Sequence, residues 1–214
     1  MILTNTRAKI RMQVFMLKEN IKKYTPRKLL DLFLKIYRNY FGGYSKKSYS
    51  QEGEDLILMR IFEKQKIGFY VDVGAHHPKR FSNTYLFYKK GWKGINIDAR
   101  PGSMKSFNKS RPRDINIEAA ISKKSQKLNY YMFDEPAING FSQEISSFRN
   151  KNSEYNIKEV IEIKTVRLDD LLQEQYLEKN TIDFLNIDAE GLDFEVLQSI
   201  NLEKYNVRVI CMKL

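Results

Sequence analysis

The feature of this sequence that most constrains its fold is a series of short, bulky apolar runs separated by helical segments. The clearest runs are residues 69–73, 94–98 and 182–187, each too short for an ordinary helix and rich in Val, Ile or Phe. Such runs are typical of parallel strands that are buried on both faces of a sheet. Between and around them, helical patterns are predicted at about 53–64, 82–90 and 192–199. The alternation predicts an α/β fold.

The other strands are less regular. They are predicted at about 115–121, 127–133, 161–166 and 207–212. Only a short Ser- and Lys-containing stretch separates the first two, which indicates a hairpin between them, and residues 134–155 have the pattern of a long loop. A helix is predicted to begin at Asp169, and we interpret Asp169 and Asp170 as structural residues of its first turn.

Composition narrows the class of protein. The chain has 27 aromatic residues and only 15 Gly and Pro among 214, which excludes collagen-like and wholly disordered chains. This length suits one domain with an appendage. The single cysteine, Cys211, cannot form an internal disulfide, so we expect a reducing, cytoplasmic location. We expect no signal peptide and no membrane span, because no apolar run is long enough.

The positive charge is concentrated near the N-terminus. Residues 1–48 carry 12 Lys or Arg against two acidic residues, whereas residues 49–214 are nearly neutral. We therefore expect a basic helical extension, 1–48, joined to one domain, 49–214. After Thr25 and Pro26, apolar residues recur at helical spacing, and residues 7–23 are also predicted helical.

Two interpretations of this extension stay open. The helix after Pro26 docks on its own domain, or its apolar face contacts an anionic membrane surface or a partner. Nucleic-acid binding is disfavoured, because the aromatic residues of the extension fall in an apolar stripe and no nucleic-acid-binding motif is present.

Polar motifs follow three of the predicted strands: VDVGAHHP at 71–78, NIDARP at 96–101 and NIDAEG at 186–191. In open α/β sheets, ligands bind beyond the carboxyl ends of the strands. Gly74 permits a tight turn, and Asp98 follows 24 residues later, about where a carboxylate that binds ribose hydroxyls is expected. The spacing indicates a ligand containing a nucleoside, although structural turns and caps would produce a similar pattern.

The turn that begins at Gly74 disfavours binding of a dinucleotide. A diphosphate binds to backbone amides that no side chain covers, which usually requires three glycines. Here Gly74 is followed by Ala75, His76, His77 and Pro78, and Pro78 has no amide hydrogen. A cofactor with a nucleoside and no phosphate, such as S-adenosylmethionine, fits this turn better. A dehydrogenase is therefore the less favoured alternative.

Two carboxylates at the third motif are candidates for catalysis. Asp188 and Glu190 are two residues apart at a strand end, which places both side chains on one face. Either could deprotonate an acceptor hydroxyl, or they could cap backbone amides. His76 and His77 could act as a base or, with these carboxylates, bind a metal. Since adjacent side chains point apart, at most one histidine should face the cleft, and we assign no metal site.

Four ordered motifs resemble the FkbM-type methyltransferases. They are YSQEGEDL at 49–56, VDVGAHHP with SNTY between 71 and 85, GINIDARPGSM at 94–104, and IDFLNIDAEGLDFEVL at 182–197. The resemblance covers about residues 49–212. It implies a Rossmann-like fold that binds S-adenosylmethionine and O-methylates sugars or other secondary metabolites, often in the synthesis of surface polysaccharides.

The resemblance also implies roles for particular residues. The cofactor-binding candidates are Asp72, Gly74, Ala75, Asp98, Glu118 and Ala119, with Asp98 on the ribose and Glu118 and Ala119 near the adenine. The catalytic candidates are Asp188, Glu190 and His77. Gln51, Glu52 and Glu54 belong to a segment that resembles a lid, or to a plain helix start capped by Ser50.

One departure from the family affects the expected function. Methyltransferases of this class usually add two strands beyond the one predicted at 207–212, so we expect a C-terminally truncated sheet with an exposed apolar edge. This leaves an alternative function, an inactive remnant that serves as a membrane- or partner-associated module.

Overall fold

A computed structural model describes residues 26–40, 46–175 and 181–212 of the chain. The chain divides between Lys47 and Ser48 into two compact units. The helix predicted at 7–23 and the cap predicted at Thr25 lie outside the described residues.

The elements of the chain alternate as the sequence predicts. The helices are α1 (Arg27–Tyr40), α2 (Glu54–Ile61), α3 (Tyr85–Lys89), α4 (Met104–Ser110), α5 (Gln143–Asn152), α6 (Leu168–Gln175) and α7 (Asp193–Gln198). The strands are β1 (Phe69–Val73), β2 (Lys93–Asp98), β3 (Ile115–Glu118), β4 (Ala120–Ile121), β5 (Lys127–Phe133), β6 (Ile157–Val166), β7 (Phe184–Ile187) and β8 (Val209–Met212).

Helix α1 is the described part of the first unit. Apolar side chains such as Leu29, Phe33 and Ile36 lie on one side of it and are exposed, while Lys35 and Arg38 lie on the other. None of its residues is buried. The described residues contain no helix whose length and apolar character would let it span a bilayer.

The second unit is built on a five-stranded sheet in the order β3-β2-β1-β7-β8, with every neighbouring pair parallel. Helices lie between successive strands along the chain. The predicted α/β, Rossmann-like fold is confirmed. The strand order reverses between β1 and β7, and at such a point the connecting loops diverge and leave a crevice beyond the carboxyl ends of the strands.

The core explains why the central strands read as continuous apolar runs. Alternate residues of β1 and β7 enter different clusters, with Val71 and Leu185 in one and Tyr70 and Phe184 in the other. The second cluster also holds Trp92, which is fully buried. Burial of each large apolar side chain stabilises the fold by about 1.5–3 kcal/mol, so both faces of the sheet hold the strand ends in fixed positions.

A second sheet has the order β4-β6-β5, with β4 parallel and β5 antiparallel to β6. The predicted hairpin between 115–121 and 127–133 is therefore wrong. The first segment divides into β3, which pairs with β2, and β4, which pairs with β6. Strand β5 pairs instead with the ten-residue β6, whose length offers a longer ladder.

The long loop predicted at 134–155 is also corrected. It contains a 3₁₀ turn, Pro136–Ile138, and helix α5, which starts where the Ser142 hydroxyl accepts a hydrogen bond from the Ile145 amide at 3.3 Å. Residues 127–152, from β5 through α5, are called the β5–α5 segment below.

Candidate active site

A cavity of about 400 Å³ opens at the carboxyl ends of the central strands. The strand ends and the turns after them supply Asp72, Gly74, Asp98, Asn186 and Asp188. The β5–α5 segment supplies another wall, with Tyr130, Asn139, Phe141 and Arg149. The cavity therefore lies where the sheet topology leaves its crevice.

Gly74 follows β1 directly, and its backbone lies against Asp188, the residue that follows β7. Its φ is +81°, and a Cβ placed on it would lie 1.8 Å from the carbonyl oxygen of Asp188. The amide of Asp188 in turn donates to the carbonyl of Val73 at 2.9 Å. Only glycine satisfies both the backbone conformation and this contact, so the turn brings bare backbone to the cavity.

The Asp98 carboxylate is fixed at the end of β2. It accepts the backbone amides of His76 at 2.8 Å and Arg100 at 2.9 Å, one on each oxygen. The two carboxylate oxygens together have four acceptor sites, so acceptor capacity remains beyond the two amides and the nearby Ser103 hydroxyl. Burial raises the pKa of this carboxyl, and the two amides oppose the shift. Asp98 is thus held at the cavity wall with capacity to accept hydroxyl groups.

Asp72 is almost wholly buried at the end of β1. Its carboxylate accepts a hydrogen bond from the Thr84 hydroxyl at 2.7 Å and another from the Asn186 amide at 2.8 Å. Burial raises its pKa, and these two donors oppose the shift. Arg111, fully buried, donates to Thr84 Oγ1 at 3.0 Å and to the Asp114 carboxylate at 2.8 Å. A buried polar network behind the cavity therefore holds Asp72 in place.

The two adjacent histidines point in different directions. His76, with a φ of +52°, lines the cavity, and its Nε2 is buried with no hydrogen-bond partner among the described residues. Burial, reinforced by the positive charge of Arg80, lowers its pKa to about 4, so the ring is neutral at pH 7. His77 Nδ1 instead accepts the amides of Lys79 at 3.1 Å and Arg80 at 2.9 Å.

The cavity lining distinguishes the two histidines. His77 is not among the residues that line the cavity, because its ring nitrogen stabilises the turn that follows it. Of the pair, the ring that reaches the cavity is that of His76.

Asp188 and Glu190 both line the cavity, as the strand-end spacing predicts. Glu190, with a φ of +44°, forms an ion pair with Arg149 at 2.8 Å. The Asp193 carboxylate accepts the amides of Ala189 at 2.9 Å and Gly191 at 3.2 Å, which fixes the turn between β7 and α7. Glu190 thus connects the turn after β7 to the β5–α5 segment.

The two adenine candidates are separated by the structure. Ala119 lines the cavity, and its amide donates to the Asp98 carbonyl at 3.0 Å. Glu118 is exposed and outside the cavity lining, where its carboxylate accepts the Gly102 amide at 2.6 Å. Ala75 also lines the cavity. At the start of α6, Asp169 accepts the Asn201 amide at 3.0 Å, in agreement with a structural role.

The segment before α2 is held by the side chains of Ser50 and Asp55. The Ser50 hydroxyl accepts the amides of Gly53 at 3.1 Å and Asp55 at 3.3 Å, and the buried Asp55 carboxylate accepts bonds from Ser48 and Ser50. Gln51 projects from this well-bonded turn and lines the cavity.

Several cavity residues were missed by sequence reasoning. Asn186 carried a signal, since an amide inside a buried apolar strand needs polar partners. Tyr130, Asn139 and Arg149 reach the cavity only because the β5–α5 segment folds over the strand ends, and no local pattern indicates this. Across residues 26–40, 46–175 and 181–212, no group of three or more His, Cys, Asp or Glu side chains is arranged to hold a metal ion.

The comparison with known families decides the kind of protein. The family model described as "Methyltransferase FkbM domain" matches residues 72–213, about two thirds of the chain. The chain belongs to the FkbM methyltransferase family. No curated protein and no solved structure matches it. The matched region of this FkbM domain begins at Asp72 and includes Gly74, Asp98 and Asp188, which line the cavity, so the cavity is the candidate active site of the domain.

Proposed function

We propose that this FkbM methyltransferase takes its methyl group from S-adenosylmethionine and transfers it to a hydroxyl of a sugar or related small molecule. The observation that carries the proposal is the fixed Asp98 carboxylate, which retains acceptor capacity at the cavity beside the Gly74 turn. A ribose offers two adjacent hydroxyl donors to such a carboxylate.

The residues present fit this cofactor. The cavity contains two buried polar atoms that lack a partner in the described chain, His76 Nε2 and Asn139 Nδ2, which fits a polar occupant. Asp98 would hold the ribose, the Gly74 turn would approach the amino acid portion, and Ala119 would lie beside the base. S-adenosylmethionine would supply an electrophilic methyl group on a positively charged sulfur.

We assign the base to Asp188, which follows β7 directly and whose backbone lies against the Gly74 turn. Glu190 is already neutralised by Arg149 at 2.8 Å, which suits a residue that holds the β5–α5 segment in place. Asp188 would accept the proton that the acceptor hydroxyl loses when it is methylated. His76, neutral at pH 7, can accept a hydrogen bond from the acceptor at Nε2.

The outer end of the cavity suits a hydroxyl-rich acceptor. Phe81 and Tyr155 line it with aromatic rings, and Arg80 pairs with Glu135 at 3.2 Å beside them. Aromatic faces and charged hydrogen-bonding groups together match the apolar and polar faces of a sugar ring. We therefore propose a carbohydrate acceptor in surface polysaccharide or secondary metabolite synthesis.

Two assays test the proposal. Titration calorimetry with S-adenosylhomocysteine should give heat with the unmodified protein, and no heat at millimolar ligand would refute cofactor binding. Transfer of a tritiated methyl group to nucleotide sugars and glycans should then occur, and Asp188→Asn should lower kcat at least about 100-fold with cofactor affinity retained. Glu190→Gln is the comparison, and an equal loss of kcat in both variants would contradict the assignment of the base.

We also propose that α1 binds an anionic membrane surface, because its apolar side chains are exposed and residues 1–48 are strongly basic. Flotation with vesicles containing phosphatidylserine should recover the protein at low salt and less at high salt. Phe33→Asp should abolish recovery, and salt-insensitive absence of binding would refute the contact. If methyl transfer is absent but flotation occurs, the chain acts as a non-catalytic membrane module.

A further inference from the structure

The β5–α5 segment places a buried polar pair in the wall of the cavity. Tyr130, from β5, and Asn139, at the end of the 3₁₀ turn, are each only 6% exposed, and both line the cavity. They lie close enough for the Asn139 amide to affect the pKa of the Tyr130 phenol. The large majority of buried side-chain polar atoms in proteins have at least one hydrogen-bond partner.

The orientation of the Asn139 amide is fixed by the backbone. Its Oδ1 accepts the Phe133 amide at 2.8 Å. Because a backbone N–H can only donate, the oxygen must face it, and the NH₂ group must point the other way. That nitrogen is buried and has no hydrogen-bond partner in the part of the chain that the structure describes. A donor left in this state is costly unless a ligand supplies an acceptor.

The backbone around Asn139 is held on both sides. Arg149 donates to the Ile138 carbonyl at 3.0 Å, and Gly140 exchanges hydrogen bonds with Tyr131 at 2.9 and 3.3 Å. Gly140 also packs against the Glu190 backbone, where an added Cβ would lie 2.6 Å from the carbonyl oxygen. The amide is therefore rigid before any ligand binds, which reduces the entropy lost on binding.

The pair and Asp98 line the same cavity. Burial raises the pKa of the Tyr130 phenol, and the charge of Asp98 raises it more than that of Glu190 does, so the hydroxyl is a neutral donor at pH 7. Phe141, which packs on Tyr130 with ring centroids 4.8 Å apart, lines the same wall. A ligand held by Asp98 therefore occupies the same cavity that Tyr130 and Asn139 line.

We propose that Tyr130 and Asn139 form a second polar subsite for the nucleoside of the cofactor, with the Asn139 NH₂ donating to a nucleoside oxygen or ring nitrogen. This inference rests on the proposed function. The β5–α5 segment then contributes to cofactor recognition from the side opposite the strand ends, and binding fills the hydrogen-bonding capacity that the fold leaves open.

Calorimetry with two ligands tests the subsite. Tyr130→Phe removes only the hydroxyl, and Asn139→Asp keeps an oxygen for the Phe133 amide while removing the NH₂ donor. Each should weaken S-adenosylhomocysteine about tenfold and adenosine by the same factor. Tyr131→Phe is the matched control, because Tyr131 is a buried neighbour outside the cavity lining, and its affinities should not change. Circular dichroism confirms folding, and if Asn139→Asp unfolds, Tyr130→Phe decides.

The possible results distinguish failure of the subsite from failure of the proposed cofactor. Unchanged affinities in Tyr130→Phe refute the subsite, and losses confined to S-adenosylhomocysteine refute its assignment to the nucleoside. If the unmodified protein binds adenosine but not S-adenosylhomocysteine, the proposed cofactor fails while the adenosine results still judge the subsite. If it binds neither at millimolar concentration, both proposals are overturned.

Discussion

Gly74→Ala is the substitution for which the structure gives the clearest expected cost. The added methyl group would lie 1.8 Å from the Asp188 carbonyl oxygen, whereas real contacts of this kind stay above 3.0 Å. The strand ends must therefore separate by about 1.2 Å. Placing Ala at a φ of +81° costs about 1–2 kcal/mol, and overpacking against backbone adds about 1–3 kcal/mol.

Gly91→Ala separates these two costs. Gly91 has a φ of +96°, but a Cβ there would meet nothing within 4 Å. Gly91→Ala therefore has the energetic cost of a positive φ but no steric clash of the added methyl group. The difference between the two variants should be about 1–3 kcal/mol, which lowers the Tm of Gly74→Ala by about 2–12 °C relative to Gly91→Ala.

Thermal unfolding followed by circular dichroism measures this difference, and calorimetry with S-adenosylhomocysteine measures its effect on the site. Displacement of the Asp188 backbone should weaken the ligand at least about 100-fold in Gly74→Ala and leave it unchanged in Gly91→Ala. Equal Tm values for the two variants, together with retained affinity, would refute the account of the turn.

The remaining predictions concern the network, the histidine and the ion pair. Arg111→Met should lower the unfolding free energy in urea by about 3–5 kcal/mol, because it leaves the buried Asp114 carboxylate unpaired; a loss below about 1 kcal/mol would contradict this. Stability should fall as pH drops from 6.5 to about 4, since the unfolded chain binds a proton that folded His76 does not; His76→Gln should flatten that slope, and an unchanged slope would show that the ring is not the cause. A double-mutant cycle of Arg149→Met and Glu190→Gln should give a coupling of about 1 kcal/mol, whereas additive effects would mean the pair does not hold the β5–α5 segment.

The strands that the sequence predicts correctly are those whose burial on both faces gives them an apolar local sequence. β1, β2 and β7 are buried on both faces, so their apolar runs are continuous, and the polar residues that end them mark the cavity. The pairing of β5 with β6 was not predictable in this way, because it joins segments about 30 residues apart in the chain while a nearer partner was available. Helix α5, QEISSFRNKN, has few apolar residues, so its periodicity gave no signal.

The residues of the candidate site also differ in whether local sequence patterns predict them. Asp72, Gly74, Asp98 and Asp188 follow directly from strand ends, and the sequence places them together. The choice between His76 and His77 depends on a single turn whose amides engage one ring nitrogen, which spacing does not reveal. The role inferred for Asn139 depends on the Phe133 amide six residues away and on the folding of a whole segment over the cavity.

A crystal structure of the protein with S-adenosylhomocysteine tests the central claim most directly. The account predicts the adenosyl group at the carboxyl ends of β1 and β2, with ribose hydroxyls within hydrogen-bond distance of the Asp98 carboxylate and the sulfur near Asp188. A nucleoside bound elsewhere, or a cavity that stays closed to it while the protein transfers methyl groups, would contradict the account.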